Sequence, residues 1–239
     1  IDNLLASVVA HGYKGVDLNW VSDMDDNVSG PRLVTLIREI KARAAQLPQF
    51  QAPNQPLIVT YPTNTLNMNT AAVAPWKVEV ASLVDYLGIM SYQMGFWSGG
   101  QQTWHFSPIY RNESNWRTPT SIDSTVRELV KAGVPAQKIV VGVGFFGYSF
   151  AMPVTGPYQE PEGVDHGNND MSYSWSQLAQ CGYLSAGTYT FDDEAKASYR
   201  SYNGFYAGGV RGECINWAEN VGWLSYEDQR SISAKSRYV

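Results

Sequence analysis

The groups best suited to proton transfer gather early in the chain. Asp17 stands in the run Tyr13-Lys14-Gly15-Val16-Asp17-Leu18-Asn19-Trp20-Val21, and Asp23, Asp25 and Asp26 follow shortly after. A carboxyl carried to the end of a strand can serve as general acid or base when its surroundings tune its pKa towards the working pH. Asn19 and Val21 in the same run carry no ionisable group. A serine nucleophile with a histidine base is the second chemistry to weigh. His11, His105 and His166 are the three histidines, yet no Gly-x-Ser-x-Gly elbow occurs and none of them has an obvious paired Ser. Cys181 and Cys214 permit a disulfide but lack the further Cys or His that metal spacing needs, so neither a metal nor a cofactor is expected.

Aromatic residues are the other concentration, 13% of the chain with eight Trp and fifteen Tyr. Rings with an apolar face and a polar tip suit a cleft that stacks sugars, although about half of such residues would in any case be packing. The candidates are Tyr61, Tyr92, Trp97, Phe146 and Tyr148, each at or just beyond the end of an expected strand. Trp175, Trp217 and Trp223 could wall a groove or form the core of a small subdomain.

These side chains need a scaffold, and the apolar runs outline one. Gly15–Trp20, Leu57–Tyr61, Tyr86–Tyr92 and Lys138–Phe146 read as buried parallel strands, because each is short, apolar and bounded by turn residues. Helical spacing covers Ile1–Ala10, Arg32–Ala45 behind Pro31, and Ser121–Ala132 ending at Gly133. Strand-helix alternation leads to a parallel sheet, doubly wound or closed as a barrel. From Ala151 to about Gly222 the composition turns to Gly, Ser, Tyr and Asn with short alternating pieces such as Gly187–Phe191, before a helical pattern returns over Tyr226–Tyr238. The expected organisation is therefore a partial barrel over 1–150, an α+β insertion over 151–222, and a final barrel helix over 223–239.

Four motifs in order carry a resemblance to the family 18 glycoside hydrolases. Tyr13 to Val21 is similar to that family's acid-rich fourth strand, of form D-x-x-D-x-D-x-E. Met90-Ser91-Tyr92-Gln93 resembles its sixth-strand M-x-Y-D. Lys138 to Phe150 resembles the seventh strand. The segments Tyr189 to Lys196 and Leu224 to Asp228 look like the characteristic part of the insertion and the entry to the seventh helix. The resemblance implies an α/β fold, a partial TIM (β/α) barrel holding strands four to seven of eight, with a small α+β insertion.

In that family the strand-four Glu protonates the leaving oxygen while the substrate's acetamido group attacks the anomeric carbon, steered by the adjacent Asp. Carried over residue by residue, the first Asp is Lys14, the third is Asn19 and the Glu is Val21, which leaves Asp17 as the remnant of the motif. General acid catalysis contributes roughly a hundred- to ten-thousand-fold, so the family reaction should be crippled. Gln93 replaces the strand-six Asp and can hydrogen-bond without supplying charge. Tyr92 keeps the position that contacts the acetamido group, and Met90 lies at the cleft floor.

The resemblance thus implies a chitinase-like protein that binds chitin or N-acetylglucosamine oligosaccharides extracellularly without cleaving them. An atypical hydrolase using another acid, such as Asp23 or Glu160, and an interaction domain without a glycan site are the alternatives. Two such chains carry eight strands between them, so a homodimer that completes a barrel stands beside truncation of a longer domain, which is favoured. A net charge of −5 without a basic block excludes nucleic acid, and no apolar run approaches the roughly 20 residues of a membrane span. The sequons at Asn27 and Asn112 add little.

Overall fold

The computed structural model describes residues 1–20, 28–69, 72–95, 102–160, 171–205 and 220–239. They fall into two units, one of Ile1–Asn64, Ala71–Met90 and Val126–Val141, the other of Thr65–Thr70, Ser91–Thr125 and Gly142–Val239.

In the first unit the short apolar runs become β1 (Gly15–Asp17), β2 (Ile58–Asn64), β3 (Tyr86–Met90) and β4 (Ile139–Val141), parallel neighbours in sequence order. Register pairs Asp17 with Thr60, Asn64 with Met90 and Gly88 with Val140, so these residues share one face. On that face Asp17, Ile58, Asn64, Tyr86 and Val140 are exposed and Thr60, Pro62, Gly88 and Met90 half-buried. The alternate residues Val59, Tyr61, Thr63, Leu87 and Ile89 are buried.

Helices α1 (Asp2–Ala10), α2 (Ser29–Ala44) and α3 (Pro75–Leu83) supply the rest of this core. Leu33, Ile37 and Ile40 of α2 recur at helical spacing and are fully buried, joined by Val8, Trp76 and Val80. The C-terminal carbonyls of α3, left without intrahelical donors, are met by lysines: Lys138 Nζ donates to the carbonyls of Ala81 and Val84, and Lys41 Nζ to that of Leu83.

The second unit is built on an antiparallel sheet of order β6-β5-β9-β8-β7, with β5 at Phe146–Ala151, β6 at Met171–Ser174, β7 at Thr188–Asp192, β8 at Ala197–Phe205 and β9 at Val221–Tyr226. The chain also forms helix α4 (Ile122–Lys131), α5 (Trp175–Gln180) between β6 and β7, and α6 (Gln229–Tyr238) after β9. Capping boxes start both of the latter, Ser174 with Gln177 and Asp228 with Ser231. The central strand β9 is buried at all six positions because both sheet faces are covered. Tyr173, Leu178, Tyr183, Tyr202 and Leu224 pack one face; Phe106, Tyr148, Phe150, Val154 and Trp223 pack the other. Cys181 is buried and disulfide-bonded, and Cys214, the only other cysteine, lies outside the described residues.

Three expectations change. Lys138–Phe146 is not one strand: the chain leaves the parallel sheet after Val141, passes Gly142-Val143-Gly144, and joins the antiparallel sheet at Phe146. Gly144 allows this exit, since a Cβ there would lie 2.8 Å from the Phe146 ring and 3.0 Å from that of Phe106. The segment before the final helix is strand β9, and the helix begins at Gln229. Helix α3 escaped the periodicity reading because nine residues starting at Pro75 show little amphipathic contrast. The four parallel strands form an open sheet, and no closed barrel is present among the described residues. No described helix is long and apolar enough to cross a membrane.

Candidate functional site

Two of the first unit's candidates occupy its exposed sheet face. Asp17 closes β1, where its carboxylate accepts a hydrogen bond from Thr60 Oγ1 of β2, and Met90 closes β3. A solvated carboxylate tied to a neutral hydroxyl can orient a polar group. Tyr61 is placed differently from its expected position at a strand end on the cleft face. It lies within β2 on the opposite, buried face, 2% exposed, with its hydroxyl 3.4 Å from the carbonyl of Trp20. Strand alternation decides this, since Tyr61 shares its face with Val59 and Thr63. Val21, Asp23, Asp25, Asp26, Trp97 and His166 lie outside the described residues.

The second unit brings Tyr92, Gln93 and Phe146 together. The half-buried rings of Tyr92 and Phe146 meet edge to face at 5.7 Å, and Phe146 meets Phe106 in the same manner at 4.7 Å. Gln93 is exposed, adopts φ 57°, and places its amide Nε2 3.5 Å from Ser172 Oγ of β6. This is an aromatic ledge bordered by an amide and a hydroxyl, the combination that holds a sugar by its apolar face and its hydroxyl rim. Tyr148 is 7% exposed and packs edge to face on Phe150 at 5.1 Å, so it supports the ledge from within the core.

The turn Ser91–Gly95 that carries Tyr92 and Gln93 is fastened to the irregular segment 103–107. Met94 N–H donates to the Phe106 carbonyl at 2.9 Å and Ser107 Oγ donates to the Ser91 carbonyl. Gly95 is required, because a Cβ would sit 1.9 Å from the Trp104 carbonyl oxygen. The segment itself is anchored by Phe106 N–H to Ser225 Oγ at 2.9 Å, Trp104 Nε1 to the Thr120 carbonyl at 2.9 Å, and Lys235 Nζ to the Ser107 carbonyl at 2.8 Å.

At its centre stands a pair that sequence reasoning missed. His105, wholly buried, places Nε2 2.9 Å from Asp192 Oδ2, 87 positions away in the sequence. No local pattern joins residues that far apart. Burial lowers the His105 pKa, against the opposing pull of Asp192. For Asp192, burial would raise the carboxyl, but hydrogen bonds from His105 and the Ala195 and Glu194 amides more than offset it and hold the group ionised. No Ser hydroxyl approaches His105 within hydrogen-bond distance among the described residues, so this is not a hydrolytic triad. His11 lies near Ser7 on an exposed helix face, its Nδ1 2.8 Å from the Ser7 carbonyl.

Glu160, the other acid weighed, is exposed and ion-paired with Arg117, and the hydrogen bonds from Arg117 and Gln102 hold its carboxyl below the usual range, whereas a general acid is helped by a raised pKa. Among the described residues no group of His, Cys, Asp and Glu is arranged to hold a metal ion.

Comparison with known proteins places this geometry in context. The sequence profile described as "Glycosyl hydrolases family 18" matches residues 1–239. Endochitinase 1 of Metarhizium robertsii is 29% identical over 198 residues, which is 79% of this chain and 43% of the relative. The chain thus spans less than half the length of that relative. A class V chitinase mutant from Nicotiana tobaccum, solved in complex with NAG4, aligns at TM-score 0.72 with 19% identity, covering 99% of this chain and 63% of that one. A chitinase-like agglutinin from Robinia pseudoacacia aligns at TM-score 0.67 with 19% identity, covering 99% and 62%. With the family profile matched from end to end, this chain belongs to the glycosyl hydrolases of family 18.

Proposed function

We propose that the chain is a chitinase-like, carbohydrate-binding member of its family that does not hydrolyse chitin. The binding half of the proposal rests on the Tyr92–Phe146 ledge with Gln93 at its border. Its chemistry suits an N-acetylglucosamine oligosaccharide: ring faces stack on the aromatics, while the acetamido group and hydroxyls meet the Tyr92 hydroxyl and the Gln93 amide. The tobacco chitinase's complex with NAG4 and the agglutinin among the structural neighbours are consistent with such a ligand. Asp17 and Met90 are proposed as a polar and an apolar contact on the parallel sheet's own exposed face, and Trp97 as a further stacking ring. Tyr61 and Tyr148 act as buried supports.

The absence of hydrolysis rests on Val21 standing where the family's acid belongs, with Lys14 and Asn19 replacing two of the aspartates. No described carboxyl that departs from its ordinary pKa is raised: Glu160, Asp192 and Asp228 are all lowered. A disulfide-bonded Cys181 fits an oxidising, extracellular setting. The test is calorimetric titration with chitohexaose, followed by mass spectrometry of the same sample after long incubation. Saturable binding with intact sugar is expected. Shortened products would replace this reading with that of an atypical hydrolase, and no binding with that of an interaction domain.

A further inference from the structure

We propose that the buried His105–Asp192 pair is a positioning device for the carbohydrate-binding turn, holding Tyr92 and Gln93 in place while the imidazole is neutral and loosening them when it takes a proton. The inference rests on the carbohydrate-binding reading for its functional consequence, but its structural half stands separately.

The geometry supplies a short physical route. His105 lies in the segment whose next two residues fasten the turn, Phe106 through its carbonyl to Met94 and Ser107 through its hydroxyl to Ser91. Phe106 also backs Phe146, which backs Tyr92. On its other side the imidazole is enclosed by Trp104, Tyr199 and Trp223, with ring centroids at 5.0, 5.6 and 5.9 Å. Asp192 receives Nε2–H through one oxygen while its other oxygen accepts the Glu194 and Ala195 amides at 2.9 Å each. The tautomer is thereby set, with the proton on Nε2, and Nδ1 has no partner among the described residues.

A second proton would therefore create a buried Nδ1–H without an acceptor. The charged groups around the ring are few. Asp192 on β7 favours the imidazolium, and Lys235 on α6 opposes it, itself paired with Glu227. Burial, with the charges of Asp192 and Glu194, raises the Tyr158 phenol to about 12, so it stays neutral. Burial outweighs the help from Asp192 and leaves the His105 pKa below its ordinary value. A histidine depressed in the folded state contributes stability that is fully present above its unfolded pKa, about 6.5, and is lost as pH falls below it. The segment should loosen on acidification, and the turn with it.

The experiment measures chitohexaose affinity against pH, together with hydrogen exchange at the Met94 amide corrected for intrinsic rates, in wild type, His105→Gln and Asp192→Asn. Gln retains a donor near Nε2 but does not titrate. Between about pH 7 and pH 5 the wild type should lose about tenfold in affinity and Met94 protection should fall in parallel. The His105→Gln profile should be flat over that range in both readouts. Asp192→Asn removes the charge that favours the imidazolium, so its acid limb should start at the same pH but extend to lower pH, a change that a merely structural role would not produce. Wild type and His105→Gln profiles of equal slope, or Met94 protection indifferent to both pH and substitution, would overturn the inference. Loss of Met94 protection in wild type alone, with no sugar bound at any pH, would uphold the device and reject the carbohydrate reading.

Discussion

Replacing Lys235 by Met is the sharpest test of how the ledge is held. Lys235 on α6 and Glu227 just before it are 4% and 3% exposed, with Nζ 2.6 Å from Oε1. Burial lowers the Lys235 pKa, and the Glu227 carboxylate opposes that by its charge and by hydrogen bonding. The ammonium also donates to the Ser107 carbonyl at 2.8 Å, and Ser231 Oγ donates to Glu227 Oε2 at 2.6 Å. Methionine keeps the length of the side chain while deleting the charge, which strands a buried carboxylate and orphans a buried carbonyl. Breaking one partner of such a pair costs about 3–5 kcal/mol, a large fraction of the roughly 5–15 kcal/mol that holds a domain folded. Equilibrium urea unfolding, followed by tryptophan fluorescence, should show a midpoint lowered accordingly at unchanged slope. The double variant Lys235→Met with Glu227→Leu should recover most of the loss, because an apolar pair of similar volume carries no desolvation penalty. A single variant within about 1 kcal/mol of wild type would refute the reasoning, since that is the range of an exposed pair.

Three further outcomes are expected. Val21→Glu alone should yield little or no release of short sugars from chitohexaose, because Lys14 and Asn19 still interrupt the carboxylate series; robust turnover would show that the remaining residues suffice. Tyr92→Ala should weaken chitohexaose binding by about two- to tenfold, the worth of one aromatic contact, as read by calorimetry, and unchanged affinity would remove Tyr92 from the binding surface. Asp228 caps α6 through the Arg230 and Ser231 amides and accepts from Ser198 Oγ and the Tyr189 hydroxyl. Burial would raise its pKa, but these bonds lower it overall, so its contribution is present above the unfolded value of about 3.9 and lost as pH falls below it. Asp228→Asn should therefore flatten the acid limb of the stability profile, and a limb identical to wild type would contradict that assignment.

Family membership and the first three parallel strands were legible because they depend on local order. Each strand falls within a short, mainly apolar run, and the motifs around Asp17, Tyr92 and Phe146 keep their spacing along the chain. The seventh-strand run misled because an apolar stretch with two glycines reads as one strand, although its ends belong to different sheets. Strand ends were equally ambiguous for Tyr61: β2 runs on to Asn64, which puts Tyr61 mid-strand on the buried parity.

The chain's own order of residues places Val21, which has no proton to give, in the run that resembles the family's acid-bearing strand. It also fixed the supply of aromatic and amide side chains on which the proposed sugar site draws. Only the tertiary structure decided which aromatics are open, separating Tyr92 and Phe146 from the packed Tyr61 and Tyr148. It alone brought His105 to Asp192 and Lys235 to Ser107. Burial and long-range pairing depend on what folds against a residue, and for these groups the partner lies 87 and 128 positions away.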